Sequence, residues 1–211
     1  IYMCEKILLI DGHSILNRAF YGLPDLMNSE GLHTGAVYGF LNILFKVLGE
    51  EKPEYLAVAF DRSEPTFRHE KYSEYKGTRK PMPEELKQQI PVLKEMLEKM
   101  GISTVSLAGY EADDILGTLA KKAESDNLDV TILSGDRDLL QLVTGKILVR
   151  LPRTIKGQTL IETYNEEKVK EHFSLTPSQI VDLKALMGDA ADNIPGILGV
   201  GEKTATRLIT E

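Results

Sequence analysis

Nine carboxylates in this 211-residue chain recur at spacings that could do chemistry: Asp11, Asp61, Glu111, Asp113, Asp114, Asp136, Asp138, Asp189 and Asp192. Seven of them follow apolar, β-branched runs. Residues 7–10 lead into Asp11 and 55–60 into Asp61, while 102–107 reach Glu111, Asp113 and Asp114 through Ala-Gly-Tyr. Residues 130–133 reach Asp136 and Asp138 through Ser-Gly. In an open parallel sheet the carboxyl ends of the strands share one edge, where ligands bind. Parallel strands would therefore gather these seven at one site. A single aspartate at such a place is more often the N-cap of the next helix, but Glu111-Ala-Asp113-Asp114 and Asp136-Arg-Asp138 hold more acids than two caps need. Like charges so close stay ionised only where cations neutralise them. All-oxygen, highly anionic ligands select Mg²⁺ or Mn²⁺ over zinc. Asp189 and Asp192, spaced as one helical turn after Gly188, are expected to face the same cluster.

Arg68-His-Glu-Lys71-Tyr72-Ser-Glu-Tyr75-Lys76-Gly77-Thr-Arg79-Lys80 supplies the opposite charge, with tyrosines interleaved and Pro81 and Pro83 closing it. Cations for phosphates and aromatic faces for bases describe a single-strand-binding segment, against the plainer reading of a solvated loop. It leaves the sheet directly after Asp61, at the acidic edge, which favours the binding reading. Gly196-Ile-Leu-Gly199-Val-Gly201-Glu-Lys203-Thr204 invites comparison with a phosphate loop, but Glu202 stands where that motif needs lysine and a helix precedes it. A helix–hairpin–helix fits better: the backbone of Gly199–Gly201, with Lys203 and Thr204 beside it, can hold a DNA phosphate.

The elements that must position these residues read as an α/β domain on a mainly parallel central sheet flanked by helices. Strands are expected at 6–10, 55–60, 102–107 and 129–133. An amphipathic helix is expected with Val37, Phe40, Leu41, Leu44, Phe45 and Leu48 on one stripe. A helical stretch over 84–100 has Pro91 starting a new helix, and another helix begins near Ala112. Residues 146–151 and 159–163 read as a hairpin about a basic, Gly-containing turn. From 164 the chain reads as helical: Thr176-Pro177 opens a helix through Met187, Gly188 ends it, and a last helix starts at Glu202. The expected division is a core over 3–163, starting at Met3, and a helical region over 164–211.

Composition excludes several classes. One cysteine, Cys4, rules out an internal disulfide framework, and four scattered histidines make no zinc site. No apolar run approaches a membrane span and no secretory leader opens the chain, so a cytoplasmic setting is expected. The formal net charge is −7, yet without the nine acids the remaining balance is +2 (25 Lys and Arg against 23 acids), compatible with a polyanionic partner.

Over 6–211 the chain resembles the 5′-nuclease (5′→3′ exonuclease and flap endonuclease) family found at the N-terminus of bacterial DNA polymerases I. The resemblance is carried by Leu9-Ile-Asp11-Gly-His, Ala59-Phe-Asp61, Phe67-Arg68-His69, Tyr75-Lys76-Gly-Thr-Arg79 and Gly109-Tyr-Glu111-Ala-Asp113-Asp114. It continues in Ser134-Gly-Asp136-Arg-Asp138-Leu, Gly188-Asp189-Ala-Ala-Asp192-Asn193 and Gly199-Val-Gly201-Glu-Lys-Thr-Ala. The resemblance implies a PIN-like 5′-nuclease fold, a helical arch around 68–83, and a helix–hairpin–helix that grips duplex DNA. It implies that all nine acids bind two Mg²⁺, with Mn²⁺ as substitute, for hydrolysis of phosphodiesters in primer removal and repair. Lys76 and Arg79 match catalytic arch positions, and Arg18, Arg68 and Tyr75 match DNA-binding ones. A K⁺ held by hairpin carbonyls, a monomeric state, a 5′-flap, nicked or branched DNA partner and a polymerase domain in the same polypeptide are also implied. The family domain continues beyond Glu211, so the duplex-binding element is expected to be truncated. Ala191 and Leu198 depart from the serine and proline most expected there.

Two rival classes carry less. Phosphohydrolases of the haloacid-dehalogenase kind need a second aspartate two positions after the first, where this chain has His13. A DNA-binding module without catalysis has no use for nine closely set acids, which are costly to keep in a fold.

Overall fold

The computed structural model describes residues 5–155 and 158–211. Met3, Cys4 and the Lys156-Gly157 turn of the expected hairpin lie outside the described residues. A six-stranded sheet forms the centre, with strands β1 (Lys6–Asp11), β2 (Tyr55–Ala59), β3 (Ser103–Val105), β4 (Asp129–Leu133), β5 (Ile147–Ile155) and β6 (Gln158–Tyr164). Their spatial order is β3-β2-β1-β4-β5-β6, every pair parallel except β5 with β6. The chain thus adopts the expected mainly parallel α/β architecture. β3 is shorter than the run 102–107 predicts. After Val105, whose carbonyl accepts the Phe60 N–H at 2.9 Å, the chain turns away toward Gly109.

Side-chain alternation on β1 assigns the two faces. Leu8 and Ile10 point one way, against Ile15 and Leu16 of α1 (Gly12–Gly22), Phe40 and Leu44 of α2 (Gly35–Glu51), and Leu93 and Leu97. Leu9 points the other way, against Ile115 and Leu116 of α6 (Ala112–Ser125) and Leu140 of a 3₁₀ helix, Arg137–Leu142. Burial on both faces is what a central parallel strand of continuous apolar residues requires. Phe45 departs from its expected place on the α2 stripe. It is 54% exposed because the buried arc of α2 runs through Phe40, Ile43, Leu44 and Val47, and Phe45 falls outside it.

The short helix α3 (Phe67–Lys71) is the only helix among the described residues between Asp61 and Pro83; residues 73–78 form turns, so the expected helical arch is a mostly turn-built strap. Gly77 and the two prolines oppose helix propagation there. Helices α4 (Glu84–Lys87) and α5 (Gln89–Lys99) follow. The break falls at Gln88 rather than at Pro91, which is the third residue of α5: proline cannot donate to the Lys87 carbonyl, and its ring opposes that group. Beyond β6 come α7 (Glu166–Phe173), α8 (Gln179–Met187), a two-residue pair β7 (Gly188–Asp189) with β8 (Ile194–Pro195), and α9 (Glu202–Thr210). α8 starts later than Thr176-Pro177 predicts, since the Gln179 side chain bonds back to the Thr176 N–H at 2.9 Å and closes a preceding turn. A small separate core of Leu175, Leu183 and Ala205 joins α8 to α9.

Candidate functional site

Parallel pairing puts the strand-end acids on one edge. Asp11 is the last residue of β1 and caps α1, accepting the Ser14 N–H on Oδ1 at 2.9 Å. Its other oxygen accepts the Ser134 hydroxyl at 2.8 Å. Asp61, just past β2, accepts the Ala112 N–H at 2.7 Å, so it steadies the start of α6. Asp113 lies in the first turn of α6. Asp136 follows β4 and caps the 3₁₀ helix through the Asp138 N–H at 2.8 Å. Capping and clustering therefore coincide in the same side chains. A helix N-terminus also favours nearby negative charge, which helps hold Asp113 and Asp114 in place.

These four carboxylates, Asp11, Asp61, Asp113 and Asp136, feel one another with no cation bonded among them. Burial, followed by repulsion from Asp11, Asp136 and Asp61, pushes Asp113 up to about 8. Burial raises Asp11 to about 6, against the hydrogen bonds from Ser14 and Ser134 that stabilise its charge. One oxygen of Asp113 is buried without a hydrogen-bond partner, a costly condition for a carboxylate. A bound cation would relieve both the repulsion and the orphaned oxygen, and the donors are all hard oxygens, so the residues fit a divalent metal of the Mg²⁺ type.

The other five acids are already paired. Arg68 reaches Asp114 with both terminal nitrogens, at 2.7 and 2.8 Å. Burial would raise Asp114, but that guanidinium brings it below the usual carboxylate range. Lys76 donates to Glu111 at 2.8 Å, and Arg79 pairs with Asp192 while donating to the Ala191 carbonyl at 3.1 Å. Lys184, on α8, lies 2.7 Å from both Asp138 and Asp189. Burial raises Asp138, whereas Asp189 is lowered because Lys184 outweighs its burial. Among the described residues no three His, Cys, Asp or Glu side chains form a ready-made metal cluster. Seven of the nine acids line a cleft of about 730 Å³, which Asp11 and Asp61 do not line; the nine divide into an unpaired inner group and a cation-paired outer one.

Asp189 and Asp192, though spaced as one helical turn, lie in β7 and the turn that follows it. Gly188 ends α8 at φ +76°, and β7 and β8 approach so closely that a Cβ on Gly188 would meet the Gly196 nitrogen at 2.3 Å. Asp189 Oδ1 then accepts the Ala191 and Asp192 N–H groups at 2.8 and 3.3 Å, closing a turn that aims Asp192 at the strap.

Tyr75 is 4% exposed and does not offer a stacking face. Its hydroxyl sits 2.9 Å from Glu111 and 3.0 Å from Asp192, so it packs under the strap instead. Tyr72, at 37% exposure, is the strap tyrosine that reaches solvent. The strap is further tied down by the Lys76 N–H to the Asp192 carbonyl, 2.8 Å, and by Asn193 Nδ2 to the Glu74 carbonyl, 2.8 Å. Lys76 adopts φ +56°, an uncommon conformation for a non-glycine residue.

Arg18 does not join the acids. It lines a smaller cleft of about 160 Å³ with Asn42 and Lys46, and its buried Nε has no partner. The hairpin does not line the acidic cleft either: Gly199 takes φ +79°, Leu198 is fully exposed at 101%, and Lys203 and Thr204 lie in the first turn of α9. Sequence reasoning missed Lys184, Ser134 and His13. His13 Nδ1 accepts the Asp61 N–H at 3.1 Å, and burial lowers its basicity, which suits an acceptor nitrogen. Each was visible only as an ordinary helix or loop residue; Ser134 and His13 do adjoin the acid motifs, and that adjacency was the available signal.

The sequence matches two family descriptions laid end to end: the 5′-3′ exonuclease N-terminal resolvase-like domain over residues 6–174, and the 5′-3′ exonuclease C-terminal SAM fold over 175–211. It is 53% identical over 207 residues to DNA polymerase I of Bacillus subtilis (strain 168), covering 98% of this chain and 23% of that protein. Identity to DNA polymerase I of Streptococcus pneumoniae (strain ATCC BAA-255 / R6) is 47% over 211 residues, covering 98% and 24%. The chain thus spans about a quarter of these curated relatives. Among solved structures, T5 5′-exonuclease with divalent metal ions (zinc) bound superposes with a TM-score of 0.76 at 25% identity, covering 98% of this chain and 75% of that one. Human GEN1 in complex with Holliday junction DNA shares the fold, with a TM-score of 0.60 at 20% identity, covering 98% and 49%. With both halves of the family pattern matched and the acids gathered at the sheet edge, this chain belongs to the 5′-3′ exonuclease family, as the 5′-nuclease domain of the bacterial DNA polymerase I type.

Proposed function

We propose that the chain is a structure-selective DNA 5′-nuclease, a 5′→3′ exonuclease and flap endonuclease acting in primer removal and repair, with hydrolysis dependent on Mg²⁺ or Mn²⁺. The observation that carries this is the inner group at the carboxyl edge of a parallel sheet: Asp11 buried, Asp61, Asp113 and Asp136 half-buried, none bonded to a lysine or arginine, and one oxygen of Asp113 orphaned. Asp11, Asp61, Asp113 and Asp136 would hold one metal, with Asp138, Asp189 and Asp192 bordering a second and Glu111 and Asp114 framing both. Bound there, divalent ions supply an activated water and charge stabilisation at a phosphodiester.

The protein's own side chains orient the substrate. Lys76 and Arg79 are each held by a carboxylate at the mouth of the cleft, so each can exchange that carboxylate for a phosphate oxygen of the scissile link. Charge neutralisation by Lys76 as phosphoryl oxygens become more anionic would favour the transition state. Arg68, bidentate to Asp114, serves as the strap's anchor and offers its remaining donor edge to the DNA backbone. Gly199, Gly201, Lys203 and Thr204 form the duplex-phosphate contact, with K⁺ at the hairpin carbonyls as part of the same proposal. Arg18, with Lys46 beside it, would meet the backbone at a separate point. A polymerase domain in the same polypeptide, which the relatives' name suggests, and cytoplasmic action belong to this proposal; among the described residues no helix is long and apolar enough to cross a membrane. A labelled 5′-flap duplex tests the reading. Cleavage in Mg²⁺ that stops in EDTA and in Asp113→Asn is expected, and intact flap in both conditions would refute it.

A further inference from the structure

Ser134 is fully buried, at 0% exposure, and connects two acids that the chain separates by more than a hundred residues. Its Oγ donates to Asp11 Oδ2 at 2.8 Å and accepts the Asp136 backbone N–H at 3.0 Å. Register explains the encounter: β1 and β4 run parallel with Ile10 opposite Leu133, so the next residue of each strand, Asp11 and Ser134, meet at the edge. A second hydroxyl braces the first, since Ser14 Oγ accepts the Gly135 N–H at 2.8 Å. Ser14 also supplies, through its backbone N–H, the donor to Asp11 Oδ1. Both oxygens of Asp11 are thereby fixed, and the 134–136 turn is fixed to them.

A buried serine ordinarily satisfies itself on a nearby backbone carbonyl. Here its hydrogen goes to one candidate metal acid while its lone pair takes the backbone of another, so one hydroxyl sets their relative placement. We propose that Ser134 is a positioning residue: its hydroxyl holds the Asp11 carboxylate and the Asp136 turn at the separation from which both offer oxygens to a single divalent cation. This rests on the nuclease reading of the same site. Without the hydroxyl, Asp11 Oδ2 regains rotational freedom and the Asp136 N–H loses its acceptor. Removal of a group that orients metal ligands typically lowers metal affinity or activity by 10–100-fold.

The test compares wild type, Ser134→Ala and Ser134→Thr. Mn²⁺ binding to the DNA-free protein is measured by electron paramagnetic resonance, melting is followed in EDTA, and flap-duplex affinity is measured in EDTA. Ser134→Ala should remain folded, bind Mn²⁺ about 10-fold or more weakly, and hold the duplex as wild type does; Ser134→Thr, which keeps the hydroxyl, should recover Mn²⁺ affinity. If Ser134→Ala does not fold, Ser134→Cys, close in size but a weak donor, carries the same expectation. Wild-type Mn²⁺ affinity in a folded Ser134→Ala, even with a lower melting temperature, would show a merely structural serine and overturn the proposal. Flap cleavage by the wild-type protein is scored separately, so that loss of the nuclease reading is not confused with loss of this one.

Discussion

Lys76 Nζ lies 2.8 Å from Glu111 Oε1, so the strap lysine proposed to meet a phosphate is parked on a carboxylate of the site itself. The same residue's backbone N–H is bonded to the Asp192 carbonyl at 2.8 Å. Strap and acidic turn are therefore one connected unit, and substrate binding must compete with an internal ion pair. Binding energy shared by ground and transition states alters KM, whereas energy that appears only in the transition state alters kcat. Lys76→Ala should bind a flap duplex nearly as wild type in Ca²⁺ but lose single-turnover rate on the order of 10²-fold. Loss of affinity alone would make the strap a passive tether.

Lys203 gives the contrasting case. It is exposed in the first turn of α9, outside the acidic cleft's lining. Lys203→Ala should weaken duplex binding and reduce its salt dependence by about one phosphate contact, leaving saturated turnover nearly intact. Binding isotherms at several salt concentrations would show it; an unchanged slope would remove Lys203 from the interface.

Tyr75 secures the strap from below, and its removal should loosen the strap before it affects the core. Tyr75→Phe loses a hydroxyl shared by two carboxylates, a change of about 1–3 kcal/mol. Hydrogen exchange at the Lys76 amide should quicken in the DNA-free variant. The wild-type amide should already be protected without DNA, because its acceptor is the Asp192 carbonyl.

The inner acids make the metal-free protein sensitive to alkali. Asp113 rises from 3.8 to about 8 on folding, so between those values the native state holds a proton that the unfolded chain has released. Metal-free stability should accordingly fall as pH rises from about 4 to 8 and level off above. Divalent metal should reverse the trend by binding the ionised native acids. Asp113→Asn should flatten the metal-free pH dependence, raise the metal-free melting temperature near pH 8 and abolish cleavage. Superimposable melting curves in Mg²⁺ and EDTA at pH 8 would argue that no metal binds.

Gln89 supports the region from the other face. It is 1% exposed, accepts the Ala36 and Val37 N–H groups at 2.9 and 3.2 Å, and donates to the Glu85 carbonyl at 2.8 Å. It thus caps α2 from α5, a role Thr34 does not fill with its own side chain. Gln89→Leu leaves two buried donors unpaired and should cost roughly 2 kcal/mol or more. Urea unfolding would measure this.

Strand identity and the placement of Asp11, Asp61 and Asp136 at strand ends were legible locally, because an apolar run followed by an acid occupies only a few residues. The parallel sheet followed from alternation of strands and helices, since parallel neighbours need crossovers of helical length. The strap's conformation was not legible: Gly77 and the prolines mark a departure from helix, but burial of Tyr75 depends on Glu111 and Asp192, which approach only after folding. Likewise nothing in the spacing of Lys184 shows that it will stand between Asp138 and Asp189, or that Arg68 will take Asp114. The division of the acids into unpaired and paired groups depends on distances between side chains from different strands and helices. Those distances are set by the order in which strands pair and by the depth of each residue from solvent. Short-range residue patterns carry the type and edge of each element, and the packed sheet alone decides which charges share a dielectric and which meet a counter-ion.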